Sequence, residues 1–379
     1  MWRLGAFPSR LPFWPPRGLC RALGQRGLFA RAAPPRGGGF CVGARAAALA
    51  TVAGVSAVSL ALGHQEAFSG QYCATVTEFG ADGRVNLQGI DGYAKYLKVE
   101  GCVGAFVNGT SGESMSLSVD EREQLAEAWA KAGRKHGLKV IVHVGCDATP
   151  DAYRLAAHAQ RLGVSGIAAM PPRFFRCKDA NALADYIAGV AKEAPTTPFF
   201  YYHFPLATGA APKPSAVLAA ALSKVPTLAG MKFSDADMWE YGDACDVDAE
   251  AKLAFLLGFE ACTLAFLPFH PAKDRYGSVS LSFSALAPLH QSIVDAHFAG
   301  DGAAAFEAQA ALRDFFREVG PFGWTQAVKF ALQRNGTLAS SAMREPSAQL
   351  AAGDRARLAK VFDALADKHG KTFHRLRER

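Results

Sequence analysis

No acidic side chain occurs before Glu66 and no lysine before Lys95. Of the 41 basic residues, eight arginines (3, 10, 17, 21, 26, 31, 36 and 45) fall in that acid-free stretch, leaving 33 against all 34 acidic residues from position 66 onward. The +7 formal charge therefore belongs to the N-terminus, and the neutral remainder offers no electrostatic footprint for nucleic acid. The eight cysteines (20, 41, 73, 102, 146, 177, 245 and 262) contain no Cys-x-x-Cys pair, which argues against zinc modules and disulfide scaffolds and leaves reduced thiols as the default. There is no Gly-x-Gly-x-x-Gly, no phosphate-loop lysine motif and no solenoid-type repeat. With 50% hydrophobic and 20% charged residues, a disordered or fibrous chain is excluded.

The Arg-, Pro-, Gly- and Ala-rich residues 1–65 read as an organelle-targeting leader and are set apart from the fold. A mitochondrial destination leads, with plastid and secretory routes as alternatives. The apolar stretch 46–62 is 17 residues of mostly Ala and Val, at the short limit for a bilayer span. It reads as a sorting element, a signal core or a membrane contact. Against secretion stands the sequon Asn108-Gly109-Thr110, which falls in a segment expected at the active site.

The 379 residues suit two average domains or one large α/β barrel. From position 68 short β-rich runs alternate with amphipathic stretches. Strands are expected over 72–77, 103–107, 140–144, 166–170, 198–202, 228–232, 253–257 and 277–283. Ser118-Val119-Asp120-Glu121 has the form of a capping box opening a helix to about His136, and Thr149-Pro150-Asp151 is expected to cap the next. Gly137 and Gly163 stand where left-handed caps would stop helices. The strand runs are nearly continuous in apolar residues, as when both sheet faces are covered. Eight βα units over residues 66–287 predict an α/β fold, a (β/α)8 TIM barrel, with a C-terminal helical region, 288–379, packed on it. A doubly wound sheet is the rival.

In such a barrel, chemistry sits at the C-terminal strand ends. The sixth strand ends Met231-Lys232-Phe233-Ser234-Asp235. A lysine there, in a poorly hydrated interior, loses ammonium character and becomes a nucleophile toward carbonyls; the plainer alternative is a lysine reaching out to solvent. The fifth strand ends Tyr201-Tyr202-His203-Phe204-Pro205. Strand alternation lets only one of the two tyrosines face inward, as a proton relay or as core filling. His203 has no partner at metal-ligand spacing. The second strand runs into Asn108-Gly109-Thr110-Ser111-Gly112-Glu113, a carboxylate cradle or an ordinary glycine turn, and the seventh ends Gly258-Phe259-Glu260.

Taken together, these segments resemble the pyruvate-dependent class I aldolases of the N-acetylneuraminate lyase and dihydrodipicolinate synthase superfamily, over roughly residues 68–350 and closest to the N-acetylneuraminate lyase branch. Thr208-Gly209, Gln326-Ala327-Val328-Lys329 and Arg344-Glu345-Pro346 also fit. The resemblance implies that Lys232 forms the Schiff base and that Tyr202 moves the proton of the C4 hydroxyl. It further implies that Thr110 and Ser111 hold the pyruvyl carboxylate, and that Ser234, Gly258 and Glu260 contact the sugar. It implies a 2-oxo sugar acid as substrate, a homotetramer, and no metal or organic cofactor.

Glu260 stands where the resemblance implies an aspartate, and two further departures bear on the substrate. Ala261 stands where the family carries a glutamate for the polyol tail, and the segment 264–276 replaces a glycine-rich connection, leaving Ser278 and Ser280 as alternatives for the eighth-strand serine. A sibling aldolase acting on 4-hydroxy-2-oxoglutarate or a 2-keto-3-deoxy sugar acid is therefore the second reading, and a non-catalytic barrel the third. Dihydrodipicolinate synthase chemistry is disfavoured. Leu206-Ala207-Thr208-Gly209 lacks that enzyme's arginine, and Phe174-Phe175 lacks its tyrosine.

Overall fold

The computed structural model describes residues 63–370 apart from 210, 211, 249 and 251, together with Phe373 and Leu376. Residues 1–62, and with them the stretch 46–62, lie outside the described residues. Eight parallel strands close into a barrel in sequence order: β1 Gly70–Ala74, β2 Gly104–Val107, β3 Lys139–His143, β4 Gly166–Ala169, β5 Phe199–His203, β6 Leu228–Phe233, β7 Ala254–Leu257 and β8 Gly277–Ser280. β1 pairs with β8 through Gly70↔Gly277 and Cys73↔Ser280, which completes the closure. All eight expected strands are present.

Alternation along each strand divides the core into two layers. Tyr72, Ala74, Phe106, Ile141, Ala168, Phe200, Tyr202, Leu256 and Val279 fill the barrel interior. Their neighbours Cys73, Val107, Val142, Ile167, Phe199, Tyr201, Phe233 and Leu257 pack outward against the helices. The helix Val119–His136 opens on the capping box as expected: Ser118 accepts from the Glu121 N–H, the Glu121 carboxylate accepts from the Ser118 N–H, and Gly137 closes the helix at φ 67. The helix Thr149–Arg161 is capped by Leu162, and Gly163, at φ 65, turns the chain one residue later.

Three local expectations need correction. Thr149 does not cap its helix; Ala148 occupies that position without a side-chain bond, because Thr149 and Pro150 already lie in the first turn. The eighth strand ends at Ser280, since Phe283 begins a helix, Phe283–Phe298, that contains Pro288. Residues 63–65, assigned to the leader, belong to the folded body. They open the short helix Gly63–Ala67, whose His64 N–H is bonded to the Lys252 carbonyl, and it delivers Phe68 into the bottom of the barrel. There the Phe68 ring meets Phe200 edge to face at 4.8 Å, beneath Tyr72. The C-terminal part is helical, with Gly302–Val319, Trp324–Arg334 and Ala352–His369 following the barrel. Among the described residues no helix is long and apolar enough to cross a membrane.

Candidate active site

Lys232 is the inward residue at the end of β6 and is only 3% exposed. Its Nζ lies 4.0 Å from the Phe106 ring centroid and 4.1 Å from that of Tyr202. Two aromatic faces favour an ammonium, but burial lowers the amine's pKa, opposed by Tyr202 and more weakly by Glu260. Desolvation is the larger effect, so Lys232 carries more free amine at neutral pH than an exposed lysine does. Gly258 keeps the space above it clear: a Cβ there would lie 2.2 Å from Ser234 Oγ and 3.2 Å from Lys232 Cε.

Tyr202 and Lys232 are register partners across β5 and β6, so the phenol and the amine share one end of the barrel interior. Barrel closure settles the choice between the two tyrosines: Tyr202 joins the interior layer and Tyr201 the outer one. Tyr201 faces the helices, where its hydroxyl bonds His203 Nδ1 at 3.0 Å. Burial holds His203 at a pKa of about 4, against the pull of Asp235 and Asp237.

The turn after β2 brings Thr110 Oγ1 to 3.3 Å from Tyr202 Oη, and Ser111 follows half-buried on the same turn. The backbone N–H groups of Thr110 and Ser111 meet no protein acceptor among the described residues, so this turn presents two amides and two hydroxyls to an anion. The turn is strained at both ends, with Asn108 at φ 58 and Glu113 at φ 56. Such conformations cost about 1–3 kcal/mol each unless their surroundings fix them. Asn108 Nδ2 donates to the Arg122 carbonyl at 2.8 Å. Glu113 is locked by a buried ion pair with Lys329 (2.8 Å; 5% and 0% exposed side chains) and accepts the Arg344 N–H at 3.0 Å. The two C-terminal motifs of the resemblance thus converge on the turn that carries Thr110 and Ser111. Arg344 adds a two-pronged pair to Glu121 at 2.7 and 2.8 Å. Because Asn108 is 2% exposed, the sequon is closed to glycosylation in the folded protein.

The remaining expected residues divide. Ser234 lies beside Gly258 at the mouth, its N–H bonded to the His203 carbonyl. Glu260 is turned toward the exit of β8, where its carboxylate accepts from the Ser282 N–H at 3.5 Å and bonds Ser280; burial raises its pKa. Val279 takes the inward position on β8, so Ser278 and Ser280 both face the helical layer. Ala261 uses its carbonyl to receive Gln309 Nε2 at 3.0 Å. Sequence reasoning missed His143, Arg122 and Ser282, all buried around the mouth. A histidine closing the apolar run of β3 was the available signal for the first.

A desolvated amine facing a phenol, with a turn of backbone amides left unpaired among the described residues alongside, at the C-terminal mouth of a closed parallel barrel, fits an imine-forming carbon–carbon lyase. The comparisons agree. Residues 67–365 match the model of the dihydrodipicolinate synthetase family. Over 256 residues the chain is 34% identical to N-acetylneuraminate lyase of Mus musculus, spanning 67% of this chain and 79% of that protein. The structure of Proteus mirabilis N-acetylneuraminate lyase superposes with a TM-score of 0.74 at 31% identity, covering 78% of this chain and 98% of that one. Wild-type Ruminococcus gnavus sialic acid aldolase gives 0.73 at 26% identity, over 80% and 99%. The chain belongs to the dihydrodipicolinate synthetase family.

Proposed function

We propose that the protein is a Schiff-base pyruvate lyase that cleaves N-acetylneuraminate to N-acetylmannosamine and pyruvate. The observation that carries this reading is the position of Lys232 Nζ between the Phe106 and Tyr202 rings. The free amine attacks the C2 ketone of the open-chain sugar acid, and loss of water gives an iminium. Tyr202 accepts the C4 hydroxyl proton as the C3–C4 bond breaks, and the electron pair of that bond passes into the iminium to give an enamine. The aldehyde departs, C3 of the enamine takes up a proton, and water releases pyruvate and the amine. Thr110 Oγ1, bonded to Tyr202 Oη, links the phenol to the turn that holds the carboxylate. The lyases named among the relatives support the choice of substrate.

Ala261 favours a second reading, a sibling aldolase for 4-hydroxy-2-oxoglutarate or a 2-keto-3-deoxy sugar acid, because a methyl group cannot hold a polyol hydroxyl. Comparing the full chain's kcat/KM on N-acetylneuraminate and on 4-hydroxy-2-oxoglutarate decides: the proposal expects the sialic acid to be preferred, and the reverse order contradicts it.

We also propose mitochondrial import, supported by the eight arginines and absent acids before Glu66, with membrane contact through 46–62. Fluorescence of a C-terminally tagged chain and carbonate extraction test the two. A homotetramer is supported by the exposed Phe174, Phe175, Leu206 and Trp239, which follow β4, β5 and β6. Analytical ultracentrifugation of the wild type and of Phe175→Asp tests it.

A further inference from the structure

We propose that His143 is a positioning residue for the lyase: its imidazole fixes the Asn108 carbonyl, and through it the Thr110–Ser111 turn, in register with the Tyr202 phenol. The inference rests on the Schiff-base reading of the site.

His143 is the last residue of β3 and is fully buried. Its Nδ1–H donates to the Asn108 carbonyl at 2.9 Å, and its Nε2 accepts the Met170 N–H at 3.3 Å. Both ring nitrogens are therefore engaged by backbone from the neighbouring strand ends. Neither is free to exchange a proton with substrate, and burial keeps the imidazole neutral, as this pair of bonds requires. The ring also meets the Tyr202 ring edge to face, 5.7 Å between centroids and 89° between planes. Gly145 leaves room for it, since a Cβ there would lie 2.9 Å from Nε2.

A closed set of bonds completes the arrangement. Arg122 Nη2 donates to the His143 carbonyl at 2.8 Å, and the Arg122 carbonyl receives Asn108 Nδ2 at 2.8 Å. Asn108 is thus held in its left-handed conformation from its carbonyl and from its side chain. Loss of the carbonyl bond would loosen Gly109 and, beyond it, Thr110 and Ser111, the groups assigned to the pyruvyl carboxylate, while Lys232 stays in place on β6. A loose turn weakens keto-acid binding before it weakens imine chemistry.

The test compares full-length wild type with His143→Phe, which keeps the ring volume against Tyr202 without a donor, and His143→Gln, whose amide restores one. Two quantities are read: the pyruvate concentration giving half-maximal borohydride-trapped Lys232 adduct, and kcat for cleavage. His143→Phe is expected to raise the half-saturating concentration roughly tenfold, as for loss of one buried hydrogen bond, with a smaller fall in kcat. His143→Gln is expected to recover most of that affinity. A folded His143→Phe with wild-type half-saturation, or a His143→Gln no better than His143→Phe, overturns the inference. A wild type that traps no pyruvate overturns the Schiff-base reading, and this inference with it.

Discussion

Tyr202 and Lys232 face each other across adjacent strands, the amine nitrogen 4.1 Å above the phenol ring. In the proposed mechanism the ring wall that desolvates the amine is also the proton carrier, and the two functions separate by mutation. Tyr202→Phe keeps the wall and loses the hydroxyl. It is expected to retain borohydride-trappable pyruvate on Lys232 while kcat falls roughly 10²–10⁴-fold. Single-turnover trapping beside steady-state cleavage checks this; loss of trapping in proportion to kcat contradicts it.

Lys329 and Glu113 tie the helix Trp324–Arg334 to the turn that carries Thr110 and Ser111. Breaking a buried pair from one side leaves an uncompensated charge, so Lys329→Met is expected to cost about 3–5 kcal/mol. Lys329→Met with Glu113→Gln should return part of that stability, because no buried charge is then stranded. Urea unfolding of both variants measures the difference, and equal losses in the two contradict the account.

Position 261 bears on the substrate. Ala261→Glu is expected to lower KM for N-acetylneuraminate, by about 1–3 kcal/mol of binding for a hydrogen-bonded carboxylate, and to leave pyruvate trapping unchanged. Steady-state kinetics on N-acetylneuraminate and on 4-hydroxy-2-oxoglutarate reads this directly. A similar gain on both substrates would contradict a role at the polyol end.

Four buried histidines set the acid limit, His143 among them, its pKa held well below the ordinary value by burial. Burial holds His203 and His270 at about 4 and His290 at about 3, below the ordinary 6.5. Between those values the unfolded chain binds protons that the folded chain refuses, so stability falls as pH drops below 6.5. The slope is up to about 1.4 kcal/mol per pH unit for each histidine. Calorimetry should show Tm dropping steeply from pH 6.5 toward 4 and nothing from these groups above 7. A constant Tm down to pH 4.5 contradicts it.

The barrel was legible because each strand is a short apolar run set off by turn residues, and because Lys232 and Tyr202 are polar groups ending such runs. Which tyrosine faces inward depends on strand pairing, and the pairing of β5 with β6 shows it only once the barrel closes. The Lys329–Glu113 pair joins residues 216 positions apart, and the His143–Asn108 bond joins two strand ends through a backbone carbonyl; no local pattern signals either. Residues 63–65 looked like leader because they extend an acid-free segment. In the structure they open a helix tied to the barrel by the bond from the His64 N–H to the Lys252 carbonyl, with Phe68 packed on Phe200 just beyond.

The most direct test of the central claim is mass spectrometry of the full-length protein after borohydride reduction with pyruvate. The account predicts that the peptide containing Lys232 gains the mass of a reduced pyruvyl adduct, and that Lys232→Arg gains none. An unmodified Lys232, or an adduct on another lysine with cleavage intact, would contradict it.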